Sequence, residues 1–485
     1  MDNYFYRYRP IDALLDKFHE LDNQEIYFSA TDELNDPMEG FKDLVWSGDR
    51  IVWRNFLKHY ALCVLHTSYY TFTSAEKFDV NILRNYVFLT PQDLPEAPIR
   101  EIYKRVWTQF LEEAAVIRFI ELMASRTKPI RRSELTGYLR ALHGFALQVV
   151  MREHRERGLL RTETPDTDAL SQENLRRNAI AMMEGVTKIT SSEYPVEEIS
   201  EAMFGATEAT TAQVALITEY LLPDRDKRLG IVFLTHRFPA AYIAALEKLV
   251  HRDWYVACFA KTAENHSMWS TYANGHRGVC LMFNATANAK GDPTLTVKRI
   301  TSAGGSNKDG PMTYSWSEVA HELTPVRYAD EYPTIDFFRS MGTVSTGSTD
   351  QFWFRGEDGS TSKCREAMYA DQDAWRSDYW QTFGDSTVCK TREWAHEEEY
   401  RIVVHSLFDL RPQERRKLKY RFTDLAGIVF GARTDIEDKL KIMRIIDAKC
   451  SKEKRSDFKF FEIRYMHMQS RFQLCPLTLV EIKHS

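Results

Sequence analysis

The feature that most constrains the fold is a long central block with helical periodicity, flanked by two parts in which strand patterns dominate. From about residue 68 to 250, apolar side chains recur at intervals of three and four, as on one face of an α-helix. On either side of this block, runs of aromatic and β-branched residues are typical of strands. The sequence therefore predicts an α+β protein in three parts. Residues 1–67 and 251–485 form a core with a mixed or antiparallel sheet, and residues 68–250 form a large all-α insertion.

Composition and charge exclude several classes of protein. The 485 residues carry a net charge of −5, whereas a general nucleic-acid binder shows a basic domain or stripe. No uninterrupted apolar run approaches the ~20 residues of a membrane span, and the first residues lack the apolar core of a signal peptide. The seven cysteines show no zinc-ligand spacing. We expect a cytoplasmic protein with reduced thiols, without a structural metal and without a membrane partner.

The opening of the chain predicts two strands followed by a polar turn. Tyr4–Arg9 reads as an aromatic strand that places Arg7 and Arg9 on the same face. A short helical stripe follows, and then a second strand that contains Tyr27 and Ser29. The stretch Leu34–Gly40 is a strong turn signal, because Asn and Asp favour turns and proline restrains the residue before it. Much later in the chain, residues 286–325 are rich in loop signals.

A second strand-like stretch carries acidic residues at alternating positions. Trp394–Val404 reads W-A-H-E-E-E-Y-R-I-V-V. In an extended chain, side chains alternate between faces, so Glu397, Glu399 and Arg401 share one face. The opposite face looks like core and carries Tyr400, Ile402 and Val404. Such a stretch is either an edge strand with solvated charges, or a strand that points two carboxylates and a guanidinium into a cavity.

The stretch Met268–Ala273 predicts a short helix with one aromatic face. Trp269, Tyr272 and Ala273 have the spacing of neighbours on a single helix face. Such a face is either part of the core or the wall of a binding pocket. Two flanking histidines, His266 and His276, are expected at the surface rather than as metal ligands.

Other reaction types find less support in the sequence. There is no G-x-S-x-G nucleophile motif, and no cysteine lies in a nucleophile context. Two chemistries that use a pair of carboxylates stay open. A metal-dependent nuclease could use Glu39 with Glu397 or Glu399, and glycoside hydrolysis could also use two carboxylates. The spacing does not discriminate between them.

Four of these stretches together resemble the bacterial domain-of-unknown-function 2971 family. The family has an aromatic and basic first strand, an L-N-D-P-x-E-G turn, an M-W-x-x-Y-A helix before a G-V-x-L-x-F strand, and W-x-x-E-x-E-Y-R. This chain carries the corresponding segments, with the match covering roughly residues 1–45 and 253–445. They are Tyr6–Arg9, Leu34–Gly40, Met268–Ala273, Gly278–Phe283 and Trp394–Arg401. The family resemblance leaves the helical insertion unexplained and implies no chemistry.

A second, weaker resemblance implies a chemistry. The order of a basic strand, a Tyr-x-Ser strand and a late E-x-E strand is similar to ADP-ribosyltransferases, and it implies their split-sheet core and NAD as substrate. In that scheme Glu399 is catalytic and Glu397 orients the acceptor. The predicted NAD-contacting residues are Arg7, Arg9, Tyr27, Ser29, Asn35, Trp269, Tyr272 and Arg401. A carboxylate next to the ribose stabilises an oxocarbenium-like transition state.

The leading prediction from the sequence is thus an enzyme that processes NAD. It would be an ADP-ribosyltransferase that modifies a protein or a nucleic acid, or an NAD glycohydrolase, acting as a bacterial toxin or in anti-phage defence. The insertion at 68–250 would sense a trigger, bind a sensor or inhibitor partner, or mediate self-association. One alternative is a non-catalytic recognition module of a defence system that binds a ligand or protein. A second alternative is the metal-dependent nuclease.

Overall fold

The structure is a computed structural model that describes residues 3–74, 77–94, 97–160, 169–190, 196–222, 225–304 and 313–480. It contains both helices and strands, the latter in open mixed sheets. The mixed α and β character expected from the sequence is therefore confirmed.

The chain divides into two compact units. The sheet unit comprises Met1–Phe41, Asp253–Tyr332 and Gly384–Ser485, and the helical unit comprises Lys42–Arg252 and Pro333–Phe383. These bounds differ from the predicted parts, because residues 42–67 and 333–383 lie in the helical unit. Helix Arg50–Thr73 is buried along most of its length in the helical core, and Phe337, Phe338 and Trp353 join the same core.

The strands are numbered in chain order. They are β1 (Tyr4–Arg9), β2 (Glu25–Tyr27), β3 (Ser29–Ala30), β4 (Asp43–Trp46), β5 (Ile130–Arg131), β6 (Trp254–Ala260), β7 (Val279–Asn284), β8 (Thr286–Ala287), β9 (Pro293–Gly304), β10 (Thr313–Glu322), β11 (Thr324–Pro325), β12 (Arg327–Ala329), β13 (Thr334–Asp336), β14 (Cys389–Thr391), β15 (Glu399–His405), β16 (Lys417–Tyr420), β17 (Leu425–Phe430), β18 (Lys459–Met466) and β19 (Arg471–Pro476).

The α-helices are numbered in the same way. They are α1 (Glu20–Asn23), α2 (Arg50–Thr73), α3 (Leu83–Tyr86), α4 (Ala97–Leu111), α5 (Ala114–Ser125), α6 (Arg132–Glu156), α7 (Ala169–Thr190), α8 (Val196–Leu221), α9 (Arg225–Val232), α10 (Phe238–Val250), α11 (His266–Tyr272), α12 (Thr346–Ser348), α13 (Lys363–Tyr369), α14 (Gln372–Thr387) and α15 (Ile436–Glu453).

The sheet unit is built from one large sheet, one smaller sheet and the two-stranded pair of β12 and β14. The nine-stranded sheet has the order β11-β15-β6-β1-β7-β17-β18-β19, with β3 also beside β6. In the smaller sheet the order is β10-β9-β16-β2, and β8 pairs with β9. Side chains of both sheets and of α15 share one apolar core, which includes Phe5, Phe259, Tyr420 and Ile446. A second core lies on the other face of the large sheet, where α11 packs against Tyr6 and Tyr8.

The helical unit packs its helices around α2. Helices α4, α5, α6 and α10 contribute to one apolar core with it. The only segment of the described residues that is long and apolar enough to cross a membrane is Arg228–Val250, and 61% of it is buried inside the fold. Such burial is typical of a core helix in a soluble protein.

Candidate functional site

Arg401 is the centre of a buried cluster of charges in the sheet unit. It lies on β15, and its side chain is completely buried. Two of its nitrogens donate to the carboxylate of Glu39, at 2.7 and 2.8 Å. Nε and Nη2 donate to Glu399 at 2.9 and 3.2 Å. Nη1 also donates to the carbonyl of Thr387 at 2.7 Å, so all five N–H donors of the guanidinium have partners.

Lys390 is the second cation of the cluster. It lies on β14, which pairs in parallel with β12, and its Nζ donates to Glu397 and Glu399 at 2.8 Å each. A third carboxylate, that of Glu39, is 3.8 Å away. An ammonium group has three donors and suits a position among several carboxylates.

A tight backbone turn delivers Glu397 to the cluster. Arg392–Glu397 is a short 3-10 helix rather than the start of a strand. The residue after it, Glu398, has a left-handed backbone with a φ of 46°, and β15 then begins at Glu399. The prediction that Glu397 and Glu399 belong to one continuous strand is thus wrong, because the turn at Glu398 interrupts it. Both side chains nevertheless reach Lys390.

The predicted polar turn near the N-terminus holds Glu39. The Asp36 carboxylate accepts from the amide of Met38 at 2.9 Å, and the Asp36 carbonyl accepts from the amide of Glu39 at 3.0 Å. Gly40 has a φ of 74°, and a Cβ there would lie 2.7 Å from the Thr31 side chain. A glycine is therefore needed at this position. The turn presents Glu39 to Arg401, and the Glu39 side chain is only 1% exposed.

Half-exposed aromatic residues border the cluster. The hydroxyl of Tyr272, at the end of α11, donates to Glu397 at 2.5 Å. On β12, the hydroxyl of Tyr328 accepts from the backbone N–H of Glu399 at 2.8 Å. The Lys390 ammonium lies 5.0 Å from the centre of the Trp394 ring, a cation–π distance. The cluster thus has an aromatic border, although its charged groups are buried.

The protonation behaviour of the carboxylates differs across the cluster. Burial raises the pKa of Glu39 and outweighs the opposing effect of Arg401. Burial also acts to raise the pKa of Glu399, but its ion pairs with Arg401 and Lys390 prevail and hold that pKa at about 2. Although burial opposes the charged form of Lys390, the neighbouring Glu399 and Glu397 raise its pKa. Burial and Glu397 together raise the pKa of Tyr272.

The donor set does not fit a divalent metal in this arrangement. Every carboxylate oxygen of Glu39, Glu397 and Glu399 already accepts from Arg401, Lys390 or Tyr272. A metal would have to displace these cations, since both would compete for the same oxygens. Among the described residues, no group of three or more His, Cys, Asp or Glu side chains has a geometry that could hold a metal ion.

The basic residues of the first strand lie on the other face of the large sheet. Phe5 contacts Tyr400, with 5.0 Å between ring centres. On β15, Tyr400 lies between Glu399 and Arg401, so its side chain points to the opposite face of the sheet. Since Arg7 is two residues from Phe5 on β1, it shares the face of Phe5 and Tyr400. Neither Arg7 nor Arg9 therefore faces Glu399, contrary to the spatial arrangement that the ADP-ribosyltransferase resemblance implies.

Both arginines have other partners. Arg7 is buried and donates to the carbonyls of Cys258 at 3.2 Å and of Tyr27 at 2.9 Å. Arg9 forms an ion pair with the buried carboxylate of Glu20. Because the latter pair is bidentate, it ties the first strand to α1.

The other predicted pocket residues are distributed elsewhere in the sheet unit. Tyr27 donates its hydroxyl to Glu33, and Ser29 lies on β3 beside Val256. Asn35 is exposed on the polar turn. Trp269 is completely buried; its ring N–H donates to the carbonyl of Ala263 at 2.6 Å, and it packs edge-on against Tyr8. Trp269 is therefore a core residue.

Sequence reasoning missed two members of the site. Lys390 and Tyr328 lie on the short parallel pair β12 and β14. Neither residue belongs to a motif with a known chemistry, so the sequence suggested no role for them.

The comparisons with known proteins identify one family. Residues 268–402 match the family model described as "Protein of unknown function (DUF2971)". The matched segment contains Tyr272, Tyr328, Lys390 and both glutamates of the E-x-E motif, and it confirms the resemblance to this family over residues 268–402. The first strand and the polar turn, at residues 4–9 and 34–40, lie outside the matched segment. No curated protein and no solved structure matches the chain. The resemblance to ADP-ribosyltransferases accordingly stays a prediction.

Proposed function

We propose that the sheet unit binds NAD or a related nucleotide beside the Glu399 cluster and cleaves its bond to nicotinamide. The product ADP-ribose would pass to a macromolecular acceptor, as in an ADP-ribosyltransferase, or to water, as in a glycohydrolase. We also propose that the sheet unit has the split-sheet fold of the ADP-ribosyltransferases. The aromatic and anionic character of the cluster supports it.

The observation that carries the proposal is a surplus of buried negative charge with an aromatic border. Three carboxylates face two cations, which leaves one net negative charge when all five groups are ionised. The nicotinamide ring of NAD is a flat cation, and it suits the half-exposed rings of Tyr272, Tyr328 and Trp394. The surplus carboxylate suits the positive charge that develops on the ribose.

The reaction requires only groups that the cluster supplies. When the bond between the ribose carbon and nicotinamide breaks, both bonding electrons leave with nicotinamide, and the ribose acquires positive charge. Glu399 would stabilise this charge, because its low pKa of about 2 keeps it ionised. Glu397 would orient the attacking hydroxyl or amine of the acceptor. That group then bonds to the ribose carbon, and its proton passes to the Glu397 carboxylate and on to water.

The Lys390 ammonium marks the place in the cluster where we expect the cationic ring of the substrate to bind. Its ammonium lies 2.8 Å from both Glu397 and Glu399. The substrate cation would have to take part of this space, so productive binding requires the lysine side chain to withdraw. Its flexible four-carbon chain makes such a movement feasible.

The assay is incubation of the full chain with NAD labelled in its adenosine part, in the presence of protein and nucleic-acid acceptors. Nicotinamide release and transfer of the label are both followed. We expect Glu399→Gln to lower the rate of nicotinamide release by about 100-fold or more, as for other groups that stabilise charge in a transition state. The wild type should release nicotinamide at a rate proportional to protein concentration.

A neighbouring residue provides the matched control. Glu398 is exposed and next to Glu399 in the chain, so Glu398→Gln makes the same chemical change outside the cluster. It should leave the rate within about twofold, since exposed charges contribute little to buried sites. Thermal unfolding of both variants separates a loss of chemistry from a loss of fold. Wild-type protein that releases no nicotinamide with any acceptor would refute the proposal.

One observation favours a second candidate function, a non-catalytic recognition module. The cluster satisfies its own hydrogen bonds, as expected for a rigid binding surface. In that case the chain binds NAD or another cationic aromatic ligand without turnover, and Glu399→Gln weakens binding alone. Calorimetric titration of NAD into the wild type, alongside the turnover assay, distinguishes the two functions.

The biological setting that we propose is bacterial conflict, in which NAD consumption acts as a toxin or as anti-phage defence. In this setting the helical unit would bind the sensor or inhibitor that controls the sheet unit. The metal-dependent nuclease receives no support from the saturated carboxylates. Cleavage of nucleic acid that requires divalent ions and is lost in Glu399→Gln would support the nuclease instead.

A further inference from the structure

Helix α8 of the helical unit combines a tightly held inner face with an unusually apolar outer face. On the inner face, Phe204 packs on Tyr138, with 5.8 Å between ring centres. A Cβ at Gly137 would lie 2.3 Å from the Phe204 ring, so this glycine makes room for it. Glu208 pairs with Arg140 at 2.7 Å. The helix is therefore well anchored on one side.

Its outer face is uncharged. Glu208 is the only charged residue from Ala202 to Thr218, and it is engaged on the inner side. The hydroxyls of Thr207 and Thr210 donate to backbone carbonyls one turn earlier, at 3.0 and 2.9 Å, and need no outside partner. Large apolar side chains are strongly exposed: Tyr220 by 85%, Leu221 by 70%, Leu216 by 63% and Ile217 by 57%. Contiguous exposure of this kind marks an interaction surface.

The outer residues follow the spacing of a helix–helix seam. They recur at alternating intervals of three and four, as in a coiled coil: Met203, Ala206, Thr210, Gln213, Ile217 and Tyr220. All six are exposed. The series of intervals reads the same in both directions, so a second α8 can pair with the first in antiparallel orientation and keep the seam in register.

Side-chain size also favours a second copy of the same helix. The outer positions of the first half are mostly small, for example Ala202, Ala206 and Ala209, whereas the second half carries Leu216, Ile217 and Tyr220. Antiparallel pairing about a two-fold axis places Ala206 opposite Ile217, a small residue against a large one, and Met203 opposite Tyr220. Parallel pairing would oppose large to large and leave gaps between the small residues.

The charges near the start of the helix argue against one other partner. Glu198 and Glu201 are exposed there, and the last turn of α8 carries no basic residue. An anionic membrane is therefore disfavoured as the partner, since membrane-surface helices carry Lys and Arg.

We propose that the outer face of α8 binds α8 of a second copy of this chain, in an antiparallel, two-fold symmetric dimer. The segment from Ala202 to Leu221 is about 30 Å long at 1.5 Å per residue. One helix pair of this length buries less than the ~1,200–2,000 Å² of a standard interface. The dimer is accordingly weak and forms at micromolar concentration.

The first test measures the mass of the full chain by sedimentation equilibrium from about 1 to 100 μM, a range that brackets micromolar affinity. The wild type should pass from monomer to dimer. Ile217→Glu and Tyr220→Glu should each weaken dimerisation by about tenfold or more, because they bury a charge in the seam. Leu407→Glu is the matched control, as Leu407 is 79% exposed in the sheet unit and should not change the mass.

The second test determines orientation by disulfide trapping. Ala206→Cys and Ile217→Cys chains, mixed under oxidising conditions, should form the mixed cross-link faster than either variant links to itself. Wild-type chains report the background from the native cysteines. A monomer at all concentrations, a dimer indifferent to both charge variants, or faster self-linking of Ala206→Cys would each overturn the proposal. So would binding of monomers to anionic vesicles that Tyr220→Glu abolishes.

Discussion

The two units differ in the polar groups that they bury. The sheet unit buries five ionisable side chains, Arg401 among them, with direct ion pairs between them. The helical unit also buries the ion pair of Arg126 with Glu134, but other polar groups of its core form neutral pairs. In its core, His59 accepts from the Tyr242 hydroxyl at 2.8 Å and donates to the carbonyl of Val87 at 3.0 Å. His143 repeats the arrangement with Tyr60 and Leu234.

The difference shows which kind of polar group a buried core needs for stability alone. A core that needs only a satisfied polar network can use neutral groups, which cost less to desolvate than ions. The helical unit does so, and burial lowers the pKa of both His59 and His143 to about 4. The sheet unit instead keeps charges within a fold that could have used apolar residues. This choice is the reason to assign the chemistry to the sheet unit.

The largest expected effect comes from removal of the central cation. Arg401→Met should lower the free energy of unfolding by about 3–5 kcal/mol, because it leaves Glu39 and Glu399 buried without their main partner. Urea unfolding measures this change. Arg411→Met is the control, since Arg411 forms an exposed pair with Asp409 and should cost less than about 1 kcal/mol. Equal costs for both variants would mean that the buried ion pairs of Arg401 stabilise the fold no more than the exposed pair of Arg411.

A second effect concerns the neutral pairs and depends on pH. The folded chain keeps His143 neutral down to about pH 4, whereas the unfolded chain takes up a proton below about 6.5. Stability is therefore lost as the pH falls through this interval, by roughly 3 kcal/mol for this histidine at about pH 4.

The variant His143→Gln isolates this contribution. Glutamine can still donate to the Leu234 carbonyl and accept from the Tyr60 hydroxyl, but it does not titrate. Unfolding measured between pH 7 and 4 should therefore show a shallower loss of stability than in the wild type. If both curves keep the same slope, the histidine is not held neutral in the folded state.

The sequence was sufficient for elements with strong patterns. It predicted β1, the Asn-Asp-Pro turn and the alternation that places Glu399 and Arg401 opposite Tyr400. It failed for the long hairpin of β9 and β10, which occupies the region read as loops. Most side chains of β10 are polar and exposed, so backbone pairing with β9, rather than hydrophobic alternation, defines these strands.

The composition of the site was harder to predict than its position. Glu397 and Glu399 were identified from one short stretch, but their partners come from residues far away in the chain. Glu39 was considered only as a metal ligand, and Lys390 was missed. The first-strand arginines were assigned to the cluster on the order of motifs alone. Sequence order cannot reveal which face of a sheet a strand presents to a distant neighbour.

The smallest expected effect compares two single hydroxyl groups. Tyr272 donates to the Glu397 carboxylate, and Tyr242 donates to the neutral ring of His59. Replacing either tyrosine by phenylalanine leaves a buried acceptor without its donor, but only Tyr272→Phe leaves a charged one. We expect Tyr272→Phe to cost about 1 kcal/mol more than Tyr242→Phe in urea unfolding, since hydrogen bonds to charged groups are stronger. Each substitution removes one oxygen and keeps the ring, so packing losses are matched.

A larger cost for Tyr242→Phe would mean that water reaches Glu397 when the hydroxyl of Tyr272 is gone. The cluster would then be open enough to admit a ligand without movement of Lys390.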